Sequence, residues 1–217
     1  MRMHTNIFTI QNSYLSQSKV VEGYSQFAFF QKRAIDVSFS ALLLVATSPV
    51  MLYTIYRIRK ESPGSILFRQ SRVGLNGENF SCIKFRSMHE NMEFNPYTEE
   101  KDPRIFPFGR LMRKMRIDEL PQLWNVIRGD MHLIGPRAEW DILVNEYEKS
   151  IPKYQNRHLV RPGITGLAQV LYPYGRNIND ARNKLRYDLK YIERWSIGLE
   201  LKILWKTIMV VLGKKGV

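Results

Sequence analysis

The sequence predicts an α+β fold that is mostly helical, with a small antiparallel β-hairpin or sheet, one re-entrant membrane helix and amphipathic helices at the membrane interface. Three observations carry this expectation. Val37 to Tyr56 is an uncharged stretch of 20 residues with Ser48-Pro49 at its centre. Two apolar-alternating runs, Ser65 to Gln70 and Asn79 to Met88, flank Gly74-Leu-Asn-Gly77. Helix-period apolar patterns then run over 110–127, 140–154, 180–194 and 199–212.

The 217 residues suit one domain with an appendage. A content of 44% hydrophobic and 24% charged residues excludes general disorder and a polytopic membrane protein. Lys and Arg number 33 against 20 Asp and Glu, a net charge of +13, so the partner should be anionic: nucleic acid, an acidic membrane surface or a phosphorylated small molecule. The single cysteine, Cys82, excludes an internal disulfide, and His4, His89, His132 and His158 have no zinc-site spacing, which fits a reducing compartment. Residues 1–31 form a polar extension without the apolar core of a signal peptide, so any catalytic part is expected on the cytoplasmic side.

The uncharged stretch spans roughly 30 Å as a helix, the thickness of a bilayer core. A buried soluble helix, a straight transmembrane helix and a helix that dips into one leaflet and returns all compete. Lys32 and Arg33 precede the stretch and Arg57, Arg59 and Lys60 follow it, so the positive-inside rule draws both ends to the cytoplasm. A straight span satisfies only one end. Pro49 removes a backbone donor and bends a helix, and the Ser48 hydroxyl can serve the freed backbone groups, which favours the re-entrant form. Asp36 has Lys32 and Arg33 as ion-pair candidates within one helical turn. The expected organisation is a polar extension at 1–31, the membrane helix at 32–60 and a cytoplasmic catalytic domain at 61–217.

Gly and Asn between the two alternating runs supply the positive φ of a tight reversal. Strand alternation puts Lys84 and Arg86 on one face, as a surface ladder or a phosphate contact. Glu90 to Phe108, with three prolines and many charges, reads as a loop. The last helix carries an apolar stripe of Leu201, Leu204, Trp205, Ile208, Met209 and Leu212, with Lys202, Lys206, Lys214 and Lys215 around it. Such a stripe suits either a membrane interface or the protein's own core. Arg110, Arg113, Lys114 and Arg116 suit a solvated face, a lipid-headgroup contact or a phosphate clamp.

The densest chemistry lies in Arg116-Ile-Asp118-Glu119-Leu-Pro121-Gln122, followed by Asn125, Gly129-Asp130-Met and Gly135-Pro136-Arg137. Pro121 belongs in a first helical turn, so a helix is expected to begin near Asp118 or Glu119, with Asp118 open to a plain N-cap role. The alternative is catalytic. A carboxylate at a positive helix end is expected to stay ionised, and ionised Asp is a nucleophile in covalent phosphoryl chemistry. Its neighbour suits Mg²⁺, and the preceding arginines suit a diphosphate. Arg161-Pro-Gly-Ile-Thr165-Gly is a weaker phosphate-loop signal that matches no standard pattern.

Lys32-Arg33-x-x-Asp36, Ser48-Pro49, Lys84-Phe-Arg86-Ser-Met88, Arg116-x-Asp118-Glu119-Leu-Pro121-Gln122, Gly129-Asp130-Met, Gly135-Pro136-Arg137 and Arg161-Pro-Gly-Ile-Thr-Gly166 resemble, in order, the blocks of the bacterial sugar transferases known as monotopic phosphoglycosyl transferases. The resemblance runs from Lys32 to the C-terminus. It implies transfer of a sugar 1-phosphate from a UDP-sugar to polyprenyl phosphate, usually undecaprenyl phosphate, with release of UMP at the cytoplasmic face of the bacterial inner membrane, priming exopolysaccharide, lipopolysaccharide or other glycoconjugate synthesis. It implies a ping-pong mechanism through a phosphosugar ester on Asp118, with Glu119 as partner and Mg²⁺ ligand beside Asp118. It further implies substrate contacts from Arg113 and Arg137, roles for Lys84 and Asp188, and a re-entrant helix broken at Ser48-Pro49. Arg86 and Arg161 join the substrate-binding candidates.

The chain departs from the common pattern at Ala138, Leu167 and Glu200, and in the longer Leu171 to Gly175 link, which resembles the exopolysaccharide-priming branch. These changes touch sugar recognition and packing rather than the Asp-Glu pair. A non-enzymatic basic membrane-binding protein and a phosphohydrolase using the same carboxylates are the competing functions. The charge divides between the apolar helices, where lipid is the partner, and Asp118-Glu119, where a diphosphate is, so nucleic acid drops out.

Overall fold

The structure, a computed structural model, describes residues 26–90, 102–172 and 177–213. It opens with α1, Gln26–Glu61, which runs through Pro49 without interruption and so begins inside the stretch expected to be a polar extension. Pro49 has no N–H for the Val45 carbonyl four residues back, and the Ser48 hydroxyl donates to that carbonyl instead, at 2.7 Å. One face of α1 is buried at Lys32, Asp36, Ser40, Thr54 and Ile58, a helical spacing. The opposite face exposes Leu42, Val45 and Leu52, each more than 60% accessible. From Phe30 to Glu61 the helix is long and apolar enough to cross a membrane.

Both ends of α1 dock on the rest of the chain. At the N-terminal end Lys32 pairs with Glu200 and Asp36, Asp36 meets His132 Nδ1 at 2.5 Å, and Arg33 donates to the Val126 and Ile127 carbonyls. At the C-terminal end Ile58 joins a core cluster with Phe85, Phe106, Phe108 and Met112, each such side chain contributing about 1.5–3 kcal/mol of burial.

The hairpin is as expected. Strands β1 (Leu67–Val73) and β2 (Asn79–Phe85) pair antiparallel with Phe68 opposite Lys84, and a single turn at Leu75–Gly77 has positive φ at Asn76 and Gly77. The helix expected over 110–127 is two: α2 (Pro107–Lys114) and α3 (Gln122–Arg128). Arg116, in the left-handed region at φ +58°, and a short 3₁₀ turn at Ile117–Glu119 separate them.

A second sheet, absent from the sequence reading, pairs β3 (His132–Ile134) with β4 (Gly163–Thr165) in parallel. Strands of three residues carry no readable period. Contact between their backbones fixes them: a Cβ on Gly163 would stand 2.1 Å from the Gly135 nitrogen. The remaining helices are α4 (Asp141–Ser150), α5 (Leu167–Leu171), α6 (Ile178–Glu193) and α7 (Ile197–Leu212). The apolar stripe of α7 divides between the two readings. Of its described side chains only Leu204 packs against the cluster of Ile134 and Tyr191, beside Leu199 and Ile203 from outside the stripe, whereas Leu201, Trp205, Ile208 and Met209 are exposed. Lys214, Lys215 and the Leu212 side chain lie outside the described residues, as does most of the 1–31 extension.

Candidate active site

Three local devices assemble the site. Asn125, fully buried in α3, donates to the Ser81 carbonyl and Asp130 and accepts from the Ile83 N–H, which pins β2 against α3 and sets the height of Lys84. The left-handed Arg116 reverses the chain so that Asp118 and Glu119 both turn inward, 8% and 7% exposed. The Gly135–Arg137 segment, held against β4, brings a guanidinium from the other side.

These elements converge on Glu119 Oε1. Lys84 Nζ is 3.0 Å away, Arg137 Nη2 3.4 Å and Arg116 Nη1 3.5 Å. Burial pushes the Glu119 carboxyl up, but Lys84, Arg137 and Arg116 together outweigh it and hold it well below the usual carboxylate range. Asp118 behaves oppositely. Burial and the adjacent Glu119 charge push its carboxyl up against Lys84, Arg113 and Arg116. Asp118 lies on the 3₁₀ turn rather than at the end of an α-helix, and burial beside a second carboxylate raises its carboxyl above the usual range.

Asp118 is no N-cap either. Pro121 precedes α3 without a side-chain capping bond, and Asp118 Oδ1 is buried with no hydrogen-bond partner. Gln122 Nε2, one turn on, is buried and unpartnered in the same way. Unmet polar groups of this kind beside a charge cluster mark a place where a ligand supplies the missing partner. Gln122 follows Pro121 in the sequence with no local signal that marks it as a ligand group.

The other candidates separate. Arg113 acts on Asp118 electrostatically. Arg86 is buried away from the cluster, its guanidinium donating to Ser62, Pro63, Ser65 and Met88 at the exit of α1. Arg161 Nε donates to the Gly129 carbonyl. Asp188 is buried in an ion pair with Arg157 and does not touch Glu119. The glycines of the Arg161 block serve backbone crossing rather than ligand approach, since the Gly163 N–H bonds the Pro136 carbonyl.

Among the described residues no cluster of three or more His, Cys, Asp or Glu could hold a metal by itself. Mg²⁺ needs less, because it is commonly held by one or two carboxylates together with substrate phosphates. Asp118, with its unpartnered oxygen, and Glu119 fit that requirement. Beside the pair, an apolar cavity of about 510 Å³ opens between α1 and α7, with Ile35, Phe39, Leu43, Leu201 and Leu204 among its walls and Arg116 and Glu119 at its polar side.

The sequence model for bacterial sugar transferases matches residues 27–214. The chain is 43% identical over 185 residues to a UDP-N-acetylgalactosamine-undecaprenyl-phosphate N-acetylgalactosaminephosphotransferase of Aeromonas hydrophila, covering 84% of this chain and 44% of that protein. It is 41% identical to a UDP-glucose:undecaprenyl-phosphate glucose-1-phosphate transferase of Caulobacter vibrioides, covering 82% and 68%. It is 36% identical to the exopolysaccharide production protein ExoY of Sinorhizobium fredii, covering 85% and 87%. The chain thus spans less than half of the Aeromonas protein and about two thirds of the Caulobacter one. With the Asp118-Glu119 cluster and the helix beside it inside the matched residues, the chain belongs to the bacterial sugar transferase family.

Proposed function

We propose that the protein transfers a sugar 1-phosphate from a UDP-sugar to undecaprenyl phosphate, releasing UMP, at the cytoplasmic face of the bacterial inner membrane. One observation carries the reading: a buried carboxylate with an unpartnered oxygen, Asp118, adjoins Glu119, which gathers three cations and lines an apolar groove. The names of the Aeromonas and Caulobacter relatives support the same pairing of UDP-sugar and undecaprenyl phosphate.

In the first half-reaction an Asp118 oxygen attacks the phosphorus that carries the sugar. The bond from that phosphorus to the bridging oxygen breaks, and UMP leaves with the electron pair. Lys84, Arg116 and Arg137 offset the charge of the diphosphate, which otherwise repels the attacking carboxylate. Mg²⁺, held by Asp118 and Glu119 with the substrate phosphates, would supply further neutralisation of that diphosphate. In the second half-reaction a phosphate oxygen of undecaprenyl phosphate attacks the same phosphorus and frees Asp118, while the groove between α1 and α7 takes the hydrocarbon chain. Attachment of both ends of α1 to one body, with the apolar middle exposed, supports a re-entrant helix over a straight span.

Asp118→Asn tests the reading. It should abolish both UMP release and any phosphosugar-labelled protein, and full activity would overturn the nucleophile assignment. Equal UMP release with and without polyprenyl phosphate would instead establish a phosphohydrolase. UDP-N-acetylgalactosamine and UDP-glucose are the first donors to compare.

A further inference from the structure

Arg137 is presented by a short segment, and the way that segment is held assigns work to two residues outside the cluster. Four consecutive carbonyls, those of Pro136, Arg137, Ala138 and Glu139, each accept a hydrogen bond, from donors on β4, on the turn at 154–159 and on β1. The donors are the Gly163 N–H at 2.8 Å, Arg157 Nη2 at 2.7 Å, Arg72 Nη1 at 2.9 Å and the Val73 N–H at 3.1 Å. Two of the four are therefore arginine side chains brought from the hairpin and from the turn at 154–159.

We infer that Arg157 and Arg72 are positioning residues that fix the Arg137 backbone, so that its guanidinium stands against Glu119 and the substrate diphosphate, and that Asp188 acts only by orienting Arg157. This rests on the reading of Arg137 as a phosphate contact. Arg157 is 4% exposed, and its guanidinium is divided among three acceptors: Asp188 at 2.8 Å, the Tyr154 hydroxyl at 3.0 Å and the Arg137 carbonyl. Asp188, 2% exposed, has its carboxylate on Arg157 and none of its contacts on the Glu119 cluster. Arg72 repeats the arrangement from the opposite side, bonding Gln70 as well as the Ala138 carbonyl. The next residue along from each bonded carbonyl is held too, so the segment has no slack through which Arg137 can settle elsewhere. Misplacement by about 1 Å suffices to cost a reaction on the order of a hundredfold.

Arg157→Lys keeps a charge for Asp188 but loses the fork that serves three acceptors at once. It should lower kcat/KM for the UDP-sugar by at least about tenfold in the otherwise native chain. In an Arg137→Ala background the same change should cost less than about twofold, because the group it positions is gone. Arg72→Lys should follow the same pattern without involving Asp188, and it serves if Arg157→Lys fails to fold. Equal losses in both backgrounds would make these residues merely structural and overturn the inference. Hydrogen exchange on the full-length protein in detergent gives a readout independent of turnover. Amides of Gly135 and of residues 137–139 should exchange faster in either variant while those of β2 keep their rates, and unchanged exchange at these positions would also overturn it. If the unsubstituted protein releases no UMP from any UDP-sugar, the transferase reading fails, and the exchange result alone decides the clamp.

Discussion

Arg86 and Arg137 are both arginines that the sequence offers as phosphate ligands, and the fold uses them in opposite ways. Arg86 is buried at the end of β2, where its guanidinium donates to Ser62, Pro63, Ser65 and Met88 and has Glu90 as a carboxylate partner at 3.7 Å, tying the exit of α1 to the hairpin. Arg137 shares a single carboxylate with Lys84 and Arg116, so its neighbourhood carries more positive charge than Glu119 cancels. An arginine whose fork is filled by carbonyls belongs to the scaffold. An arginine in a surplus of cations is arranged for an anion that arrives from outside.

Exchanging each for methionine should separate the two uses. Arg137→Met is expected to lower kcat/KM for the UDP-sugar by about 10²–10³, with unfolding free energy changed by no more than about 1 kcal/mol, since the side chain is a third exposed. Arg86→Met should do the reverse. It leaves several buried acceptors without a donor, a loss of about 3 kcal/mol or more, while the folded fraction keeps its donor KM. Thermal unfolding in detergent and UMP release measure the two quantities. A donor KM that rises equally in both variants would erase the distinction. Arg161→Met gives a smaller effect of the Arg86 kind: it removes the bond to the Gly129 carbonyl, a loss of about 1 kcal/mol, and leaves donor KM unchanged.

Which arginine serves which use was not legible in the sequence, and the reason is physical. Local features were readable. The hairpin, its positive-φ turn, the long uncharged helix, the Ser48 bond to Val45 and α6 all follow from neighbours close in the chain. The Asp118-Glu119 pair also stood out, because charge clustered at a turn is itself a signal; Lys84 follows from strand alternation and Arg137 from the family resemblance. The split between α2 and α3 did not, since a left-handed Arg116 is a strained conformation that tertiary contacts impose. Nor did the parallel β3–β4 pair, or the bonds of Arg86 to Ser62, of Arg157 to Arg137 and Asp188, and of Asn125 to Ile83 and Ser81, all with partners 20 or more residues away. Asn125 carried one faint clue: an amide inside a helix is a poor helix former and needs another reason to be there.

A last contrast lies beside Arg157 and concerns pH. His158 is buried against Tyr154, with Nε2 unpartnered, and burial together with the adjacent Arg157 pushes its imidazole down to about 3, against a hydrogen bond with the Gly74 backbone. The folded chain therefore keeps this ring neutral where the unfolded chain, with an ordinary value near 6.5, takes up a proton. Stability from His158 is complete above about pH 6.5 and is lost as pH falls toward 3, with a slope of at most about 1.4 kcal/mol per pH unit. His132 is pushed down by burial as well, though its bond to Asp36 opposes the shift, so it adds a separate slope of the same sign. His158→Gln isolates the first. Between pH 7 and pH 5 the unfolding free energy of the variant should fall less than that of the unsubstituted chain, and parallel curves would show that His158 is not held neutral. The Glu119 cluster contributes little in this window, because the surrounding cations keep its carboxylate ionised to far lower pH. The same low dielectric thus has opposite results at Glu119 and at His158: charge persists where opposite charges surround it and is refused where a neighbouring charge is of the same sign.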